Sequence, residues 1–391
     1  MEDPFLVGRV AFLDKNWVRI SSYNPETKKV TVTPLRVPNL PDQTEPLNSV
    51  EADCGSLELF PTKSFRQKFP VTKTFDASTI SSHEIQHGAV VNIANNSVPK
   101  DLASTKLWTV TTSCCIVGES TGTPQDNVVE PVTSVRCEVK VCLKNANDIV
   151  EFENINFSAT TALGKYLVRC SSGKNITFRR CRFVGADAAV NIYSNVPDGK
   201  KRNPIRVVFE DCLFENCATG LLYVGLGGQV KLIHCTFRSE TSLARPQEYR
   251  NAGKDAYDCD GMFVWDGGIV EAHHCSFAML NYGAKVSGRP STVQMWNCAF
   301  SDVSYPVTAQ YGGSMNVKDS RMTRCETAVL TSGPQRSISY IDSCVALDCM
   351  RGVIVRFGKT DVIVVNSCFS CSDVGVHINW DVVGNVDFVD C

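Results

Sequence analysis

The stretch VVFEDCLFENC, residues 207–217, reads as a buried β-strand with a cysteine at its end, and its frame recurs along the chain. Close copies are ITFRRCRF (176–183), VKLIHCTF (230–237), VEAHHCSF (270–277) and VQMWNCAF (293–300). Looser copies are VEFENINF (150–157), MNVKDSRM (315–322), SYIDSCVA (339–346), VIVVNSCF (362–369) and VDFVDC (386–391). Self-similarity at a fixed period is the signature of a repeat architecture.

The cysteine of this frame defines a position that we call the slot. Its occupants are Ile155, Cys181, Cys212, Cys235, Cys275, Cys298, Ser320, Cys344, Cys368 and Cys391. Most successive occupants lie 22–24 residues apart. The two largest departures from this spacing indicate insertions near 194–204 and 238–256.

Each repeat holds two or three short runs rich in Val, Ile and Phe, separated by Gly, Asn, Asp or Ser, without helical periodicity. A leucine-rich repeat shares the period, but it needs leucine at fixed positions. The frames above resemble the right-handed parallel β-helix of the pectin-lyase-like superfamily, which implies an all-β, single-stranded solenoid with one coil per repeat. The resemblance covers 136–391, with 71–135 expected to form irregular first coils and 1–70 a small β-rich capping or attachment module.

The slot predicts a column of side chains inside the solenoid, because stacked strands lie about 4.8 Å apart. Cysteine is small and readily buried, so packing is the favoured interpretation of this column. The chain has 19 cysteines and no recognisable export signal, so they are expected to be thiols in the cytoplasm or in a virion. CFSC (368–371) has the spacing of a redox or zinc motif, but its first cysteine is assigned to the slot.

Composition excludes two classes of function. The net charge of −2 and the absence of dense Lys/Arg runs argue against binding nucleic acid. No stretch approaches the ~20 apolar residues of a membrane span, so no membrane role is expected.

A second set of strands begins about eight residues after each slot and predicts one functional face. Alternation places Leu221 and Tyr223 inward and Leu222 and Val224 outward in GLLYV (220–224). The same alternation exposes an aromatic and polar surface, which both insertions flank. The predicted ligand-binding residues are Tyr193, Phe263, Trp265, Lys285 and Gln310.

DAYDCDGMFVWDGG (255–268) is the densest cluster of acidic residues. Asp258, Asp260 and Asp266, with Lys285 one coil later, are the candidate catalytic residues if the protein is an enzyme. Paired carboxylates serve as acid and base or bind a hard cation, so the same cluster is the candidate Ca²⁺ site. Solvation and turn capping are the alternative roles of these residues.

Asp211, His234 and His274 precede three consecutive slots and predict a stacked column. Such a column either binds a metal ion or caps turns, and turn capping is favoured. No metal site is therefore predicted there.

The first functional hypothesis is a non-catalytic structural or recognition β-helix that binds glycan or protein along the aromatic surface. The resemblance implies one of two kinds of protein: a viral tailspike or minor-capsid particle component, or an intracellular β-helix adaptor. A homo-oligomer is expected, with a trimer as the first candidate.

The alternative function is that of a polysaccharide lyase or glycoside hydrolase. The Asp-Asp, Gly-His-Gly and Arg-x-Lys elements of polygalacturonases are missing at coil spacing, as is a recognisable lyase arrangement.

Overall fold

A computed structural model of the chain divides into two compact units, Met1–Lys63 and Ser64–Cys391. The residues that the structure describes are 10–13, 16–24, 29–34, 50–53, 58–59, 71–76, 85, 87–94, 107–118, 120–121, 130–131, 133–145, 148–158, 166–194, 204–239, 259–379 and 381–391.

The first unit contains one antiparallel sheet of five strands in the order β4-β3-β2-β1-β5. Alternating Val and Thr residues in KVTVTP are typical of such strands. The strands are β1 (Val10–Leu13), β2 (Asn16–Asn24), β3 (Lys29–Pro34), β4 (Val50–Asp53) and β5 (Glu58–Leu59).

The second unit is a parallel β-solenoid of about 10 turns, which confirms the predicted all-β fold class. Each regular coil contributes one strand to each of three sheets, which we call A, B and C. Sheet A contains β8 (Leu107–Val110), β13 (Glu138–Cys142), β16 (Tyr166–Ser172), β19 (Ala188–Ile192), β22 (Gly220–Val224), β25 (Asp260–Trp265), β28 (Tyr282–Ser287) and β31 (Tyr305–Gln310).

Sheet B begins earlier in the chain than sheet A, and sheet C has the shortest strands. Sheet B contains β6 (Val71–Asp76), β7 (Ala89–Ala94), β9 (Cys114–Gly118), β14 (Ile149–Glu153), β17 (Asn175–Arg179), β20 (Ile205–Glu210), β23 (Gly228–Ile233), β26 (Ile269–His273), β29 (Thr292–Trp296), β32 (Ser314–Lys318) and β38 (Val386–Val389). Sheet C contains β12 (Thr133–Val135), β15 (Ile155–Ser158), β18 (Arg182–Val184), β21 (Leu213–Glu215), β24 (Thr236–Arg238), β27 (Ser276–Ala278), β30 (Ala299–Ser301) and β33 (Arg321–Thr323).

Three late strands run around corners and so belong to more than one sheet: β34 (Thr327–Asp342), β35 (Val345–Val365) and β36 (Cys368–Ile378). The remaining short strands are β10 (Ser120–Thr121), which pairs antiparallel with β11 (Glu130–Pro131), and β37 (Val382–Val383), which pairs with β35.

The slot lies at the corner between sheets B and C, and its cysteines from Cys181 to Cys344 are core residues as predicted, whereas Cys391 is exposed. Cys275 and Cys298 are about 1–2 % exposed, and each thiol donates to the carbonyl two residues earlier at 3.4 Å. The residue before each slot is in the left-handed region, which Asn, Asp and His tolerate better than most other residues. These residues are Asn154, Arg180, Asp211, His234, His274, Asn297, Asp319, Ser343, Asn366 and Asp390.

The assignment of Cys368 to the slot was wrong. Val345, the residue after Cys344, pairs with Cys368, so the slot in the next coil belongs to Ser367. Ser367 is buried and donates to the Val365 carbonyl at 2.8 Å, whereas Cys368 is exposed. Apart from Ile155, the common property of slot residues is therefore a small side chain with a hydrogen-bond donor, which serine supplies as well as cysteine.

We expect Ser320→Ala to lower the free energy of unfolding by about 1–3 kcal/mol. The Ser320 hydroxyl accepts from the Cys298 amide at 3.1 Å and donates to the Lys318 carbonyl at 2.7 Å. Alanine leaves the buried Cys298 amide without that acceptor. Urea unfolding measures the change, and Ser320→Cys, the usual residue of the column, is the control with the smaller cost. Equal stability of Ser320→Ala and wild type would contradict this role.

Phenylalanine ladders fill the solenoid interior. On the inner face of sheet C, Phe157, Phe183, Phe214, Phe237, Phe277 and Phe300 stack with centroids 4.5–5.1 Å apart. A shorter stack, Phe152, Phe178 and Phe209, lies against it from sheet B. Parallel pairing in register places identical side chains one above the other, so each ring fills the space left by its neighbour.

Candidate functional site

The outer surface of sheet A carries a cluster of aromatic rings that we call the aromatic face. Its members are Tyr223, Phe263, Trp265, Tyr282, Lys285 and Tyr305, all half-buried. Tyr223, Phe263 and Lys285 form one column across three consecutive coils. Tyr282 and Tyr305 pair with each other in a second column, which lies three residues before the Lys285 column in each strand.

The prediction for GLLYV was wrong by one residue. Leu222 and Val224 pair with Met262 and Val264 and are fully buried, so they point inward. Tyr223 consequently points outward beside Phe263. Alignment of GLLYV with GMFVW (261–265) by their first residues matches Gly220 with Gly261, but in the structure Gly220 pairs with Asp260. The aromatic face therefore gains a tyrosine that sequence alternation had placed in the core.

The rings of the aromatic face contact one another in fixed geometries. Phe263 and Trp265 stack with centroids 5.4 Å apart, and Tyr223 meets both edge-on at 6.2 and 6.0 Å. Tyr282 and Tyr305 stack at 5.1 Å. Edge-on and offset contacts of this kind are favourable, so the cluster holds its shape without a ligand.

Lys285 joins the two groups of rings. Its ammonium lies 5.2 Å from the Phe263 ring centroid and 4.4 Å from that of Tyr282. A cation over two ring faces is attracted by both quadrupoles. Lys285 is thus a positive charge held at the centre of an aromatic surface.

Two glycines make room for the largest rings. A Cβ on Gly220 would lie 2.7 Å from the Tyr223 ring, and a Cβ on Gly225 would lie 2.5 Å from Cε2 of Trp265. Both rings therefore occupy the space that a side chain at these glycines would take. Tyr193, a predicted ligand-binding residue, occupies the Trp265 column two coils earlier, about 10 Å away, with Gly225 between them.

Gln310 extends the same column in the other direction. Trp265 pairs with Ser287, and Ser287 pairs with Gln310, so the Gln310 amide lies about 10 Å from Trp265. Of the predicted ligand-binding residues, Phe263, Trp265 and Lys285 are in direct contact within the cluster, while Tyr193 and Gln310 flank it.

Two carboxylates lie beside the rings: Glu326 accepts from the Tyr305 hydroxyl at 3.4 Å, and Asp260 is the first residue of β25. Burial raises the pKa of Tyr223 to about 12, and the negative charge of Asp260 adds to this increase. Burial and Asp260 also raise the pKa of Tyr282. Both phenols thus stay neutral near pH 7, and the Tyr223 hydroxyl donates to Thr219 at 3.4 Å. The surface combines hydroxyl groups, two carboxylates and one ammonium with ring faces.

Two members of the predicted acidic cluster, Asp260 and Asp266, lie far apart. Asp260 begins the six-residue strand β25 and Asp266 follows its last residue, so they are about 20 Å apart. Carboxylates that cooperate in glycoside hydrolysis lie about 5–9.5 Å apart, so these two are not a catalytic pair. Asp266 is exposed and has a positive φ of 46° in the turn to sheet B. Asp258 lies outside the described residues, and with it the Asp258/Asp260 pair and the candidate Ca²⁺ site.

The two remaining candidate sites are the column of Asp211, His234 and His274 and the CFSC motif. His234 lies 3.5 Å from Asp211, and its ring lies 5.4 Å from that of His274, so the predicted stack is present along the turn column. Within the described ranges, no group of three His, Cys, Asp or Glu side chains is arranged to hold a metal ion. Cys371 of the CFSC motif is half-buried, and burial raises its pKa.

Sequence reasoning missed Tyr223, Tyr282 and Tyr305. From sequence, the strand segments GAKVS (283–287) and PVTAQ (306–310) begin at Gly283 and Pro306. Tyr282 and Tyr305 come immediately before them, each at the same position. That shared position was the available signal.

Comparison with known proteins adds no relative: no protein-family model matches the chain, and no curated protein does either. In the part of the chain that the structure describes, no helix is long and apolar enough to cross a membrane.

Proposed function

We propose that this protein is a non-catalytic recognition protein that binds glycan through the aromatic face of sheet A. The observation that carries the proposal is the cluster of Tyr223, Phe263 and Trp265 with Lys285 held over its rings. Ring faces stack on the apolar faces of sugars, while the neighbouring polar groups can bond their hydroxyls. A solenoid presents these groups on a rigid surface, which reduces the entropy lost on binding.

The exposure of the rings favours a glycan over a protein partner. None of the aromatic-face rings is among the exposed large hydrophobic side chains of the described residues; all are recessed. Protein interfaces have an apolar core in which such anchors are surrounded by further apolar contacts. Here the recessed rings are interleaved with Asp260, Lys285 and Gln310, which suits a polar ligand that also has apolar faces.

Catalysis is the competing function, and it depends on Asp258 and Asp260. The experiment is a glycan-array binding screen followed by a release assay on every glycan that binds. Wild type is compared with Asp258→Asn/Asp260→Asn. We expect binding without release of product. Cleavage that disappears in the double variant would instead establish a lyase or hydrolase, and the absence of any glycan bound would leave protein as the partner.

We expect Lys285→Met to weaken glycan binding about 3- to 10-fold, because the ammonium over Phe263 and Tyr282 is lost while the length of the side chain is kept. Affinity is measured by calorimetric titration with a glycan selected on the array. Lys318→Met is the matched control, since Lys318 lies over Tyr340 on sheet B instead. Equal losses in the two variants would place the binding surface elsewhere.

We also propose that the solenoid acts in several copies. A particle component such as a viral spike, or an adaptor inside a cell, would present a glycan-binding solenoid in several copies. Homo-oligomers bind multivalent glycans with an avidity that exceeds the affinity of one site. Sedimentation velocity on the full chain distinguishes a trimer from a monomer.

A further inference from the structure

Sheet A contains a second feature, further along the solenoid than the aromatic face: an open cavity of about 340 Å³ across two adjacent coils. Its lining comes from β35 and β36: Arg351 beside Val374, Ile354 beside His377, and Arg356, Asp373 and Asn379. Lys285 and Ile354 belong to the same outward column but lie three coils apart, about 14 Å. The cavity is therefore centred on other coils than the aromatic face, and Glu326, 3.4 Å from the Tyr305 hydroxyl and 3.7 Å from Arg351, lies between the two.

The two arginines of the cavity differ in their partners. Arg351 lies 3.5 Å from Asp373 and 3.7 Å from Glu326, so its charge is balanced. Arg356 is exposed and, among the described residues, forms no ion pair within 4.0 Å. A guanidinium at the wall of a cavity, with no carboxylate to hold it, keeps its donors available to a ligand.

The remaining lining fits a ligand of negative charge. His377 Nε2 lies 2.8 Å from the Asn379 side-chain oxygen, which is consistent with a ring N–H donating to that oxygen and leaves the Asn379 amide group to donate elsewhere. Ile354 and Val374 contribute apolar surface and exclude water from part of the cavity. The acidic groups are Asp373, which is part of the lining, Glu326, and Asp381 in the following turn; the first two are paired with Arg351.

We propose that this cavity is an oxyanion-binding site in which Arg356 is the principal contact. The planar guanidinium makes two parallel hydrogen bonds to phosphate, sulfate or carboxylate oxygens, and the Asn379 amide group supplies a further donor. The volume is at the lower end of the range for small-molecule sites, about 300–1,000 Å³, and suits a single anionic group with a small substituent. The site does not depend on glycan binding at the aromatic face.

The test is a titration of the full chain with inorganic phosphate, observed by NMR on labelled isoleucine δ1 methyl groups. Ile354 lines the cavity and reports binding, and Ile341, fully buried inside the solenoid, reports on the fold. Sodium chloride at equal ionic strength gives the shift due to screening alone. Parallel titrations with sulfate and acetate separate tetrahedral oxyanions from carboxylates.

We expect a saturable shift of the Ile354 methyl with at least one oxyanion, beyond the shift caused by chloride. Arg356→Met should raise Kd at least about tenfold. Arg356→Lys should give an intermediate Kd, because lysine keeps the charge but lacks the two parallel N–H donors of the guanidinium. Arg321→Met is the matched control, since Arg321 is an exposed arginine of sheet C. A response equal to that of chloride for all three oxyanions, or an unchanged Kd in Arg356→Met, would overturn the proposal.

Discussion

Replacement of Phe214 by alanine is expected to lower the free energy of unfolding by about 3–5 kcal/mol. The Phe214 ring is fully buried and stacks between Phe183 at 4.7 Å and Phe237 at 4.5 Å, with Phe209 against its edge at 5.3 Å. Alanine removes the ring from the middle of the ladder. The coils above and below are held apart by backbone hydrogen bonds, so they cannot close the cavity. Urea unfolding followed by circular dichroism measures the loss.

Phe214→Leu is the matched control, because it keeps most of the apolar volume while it removes the stacked ring. We expect it to cost clearly less than alanine. A solenoid can unfold in segments, so the midpoint and the slope of the transition are compared together. An alanine variant within about 1 kcal/mol of wild type would mean that the ladder does not carry the stability expected from its burial.

The repeat frame was sufficient to predict the solenoid, because a parallel β-helix imposes similar demands on most coils. In most coils the slot holds a small donor, the residue before it tolerates a positive φ, and the ladder position holds Phe, although Ile155 and Met322 depart from this pattern. These demands appear in sequence as the spacing of Cys212, Cys235 and Cys275. The one slot assigned wrongly, at Cys368, lay where serine and cysteine are adjacent and both satisfy the demand.

The site was less predictable, because glycine occurs on sheet A for two physical reasons. Gly261 points inward, where a Cβ would lie 2.5 Å from the Gly283 carbonyl oxygen and 3.1 Å from Phe277. Gly220 makes room for the Tyr223 ring outside. Treating both glycines as one signal shifted the register and hid Tyr223. Likewise, the short sequence distance between Asp260 and Asp266 conceals their separation, because an extended strand lies between them.

Trp265→Ala is expected to weaken glycan binding about 30-fold, which corresponds to about 2 kcal/mol for the loss of a central aromatic anchor. Trp265 is half-buried and stacks on Phe263 at 5.4 Å, so its removal also loosens that ring. Calorimetric titration with the selected glycan measures the loss. Unfolding free energy should fall by much less than in Phe214→Ala, since the indole lies outside the solenoid core.

Gly225→Ala tests the same site without removing any aromatic group. The new Cβ would lie 2.5 Å from Cε2 and 2.9 Å from Nε1 of Trp265, and the indole must move because the backbone beneath it is fixed by both neighbouring coils. We expect at least a tenfold loss of affinity with a change in stability below about 1 kcal/mol, because a half-exposed side chain yields more easily than packed core. Gly227→Ala is the control: its φ of 81° makes alanine strained, yet no atom lies within 4 Å of the added Cβ. If Gly225→Ala binds glycan like wild type while Trp265→Ala does not, Trp265 contributes to binding, but the orientation that Gly225 allows the indole is not required. If neither substitution changes binding, the glycan does not occupy the aromatic face.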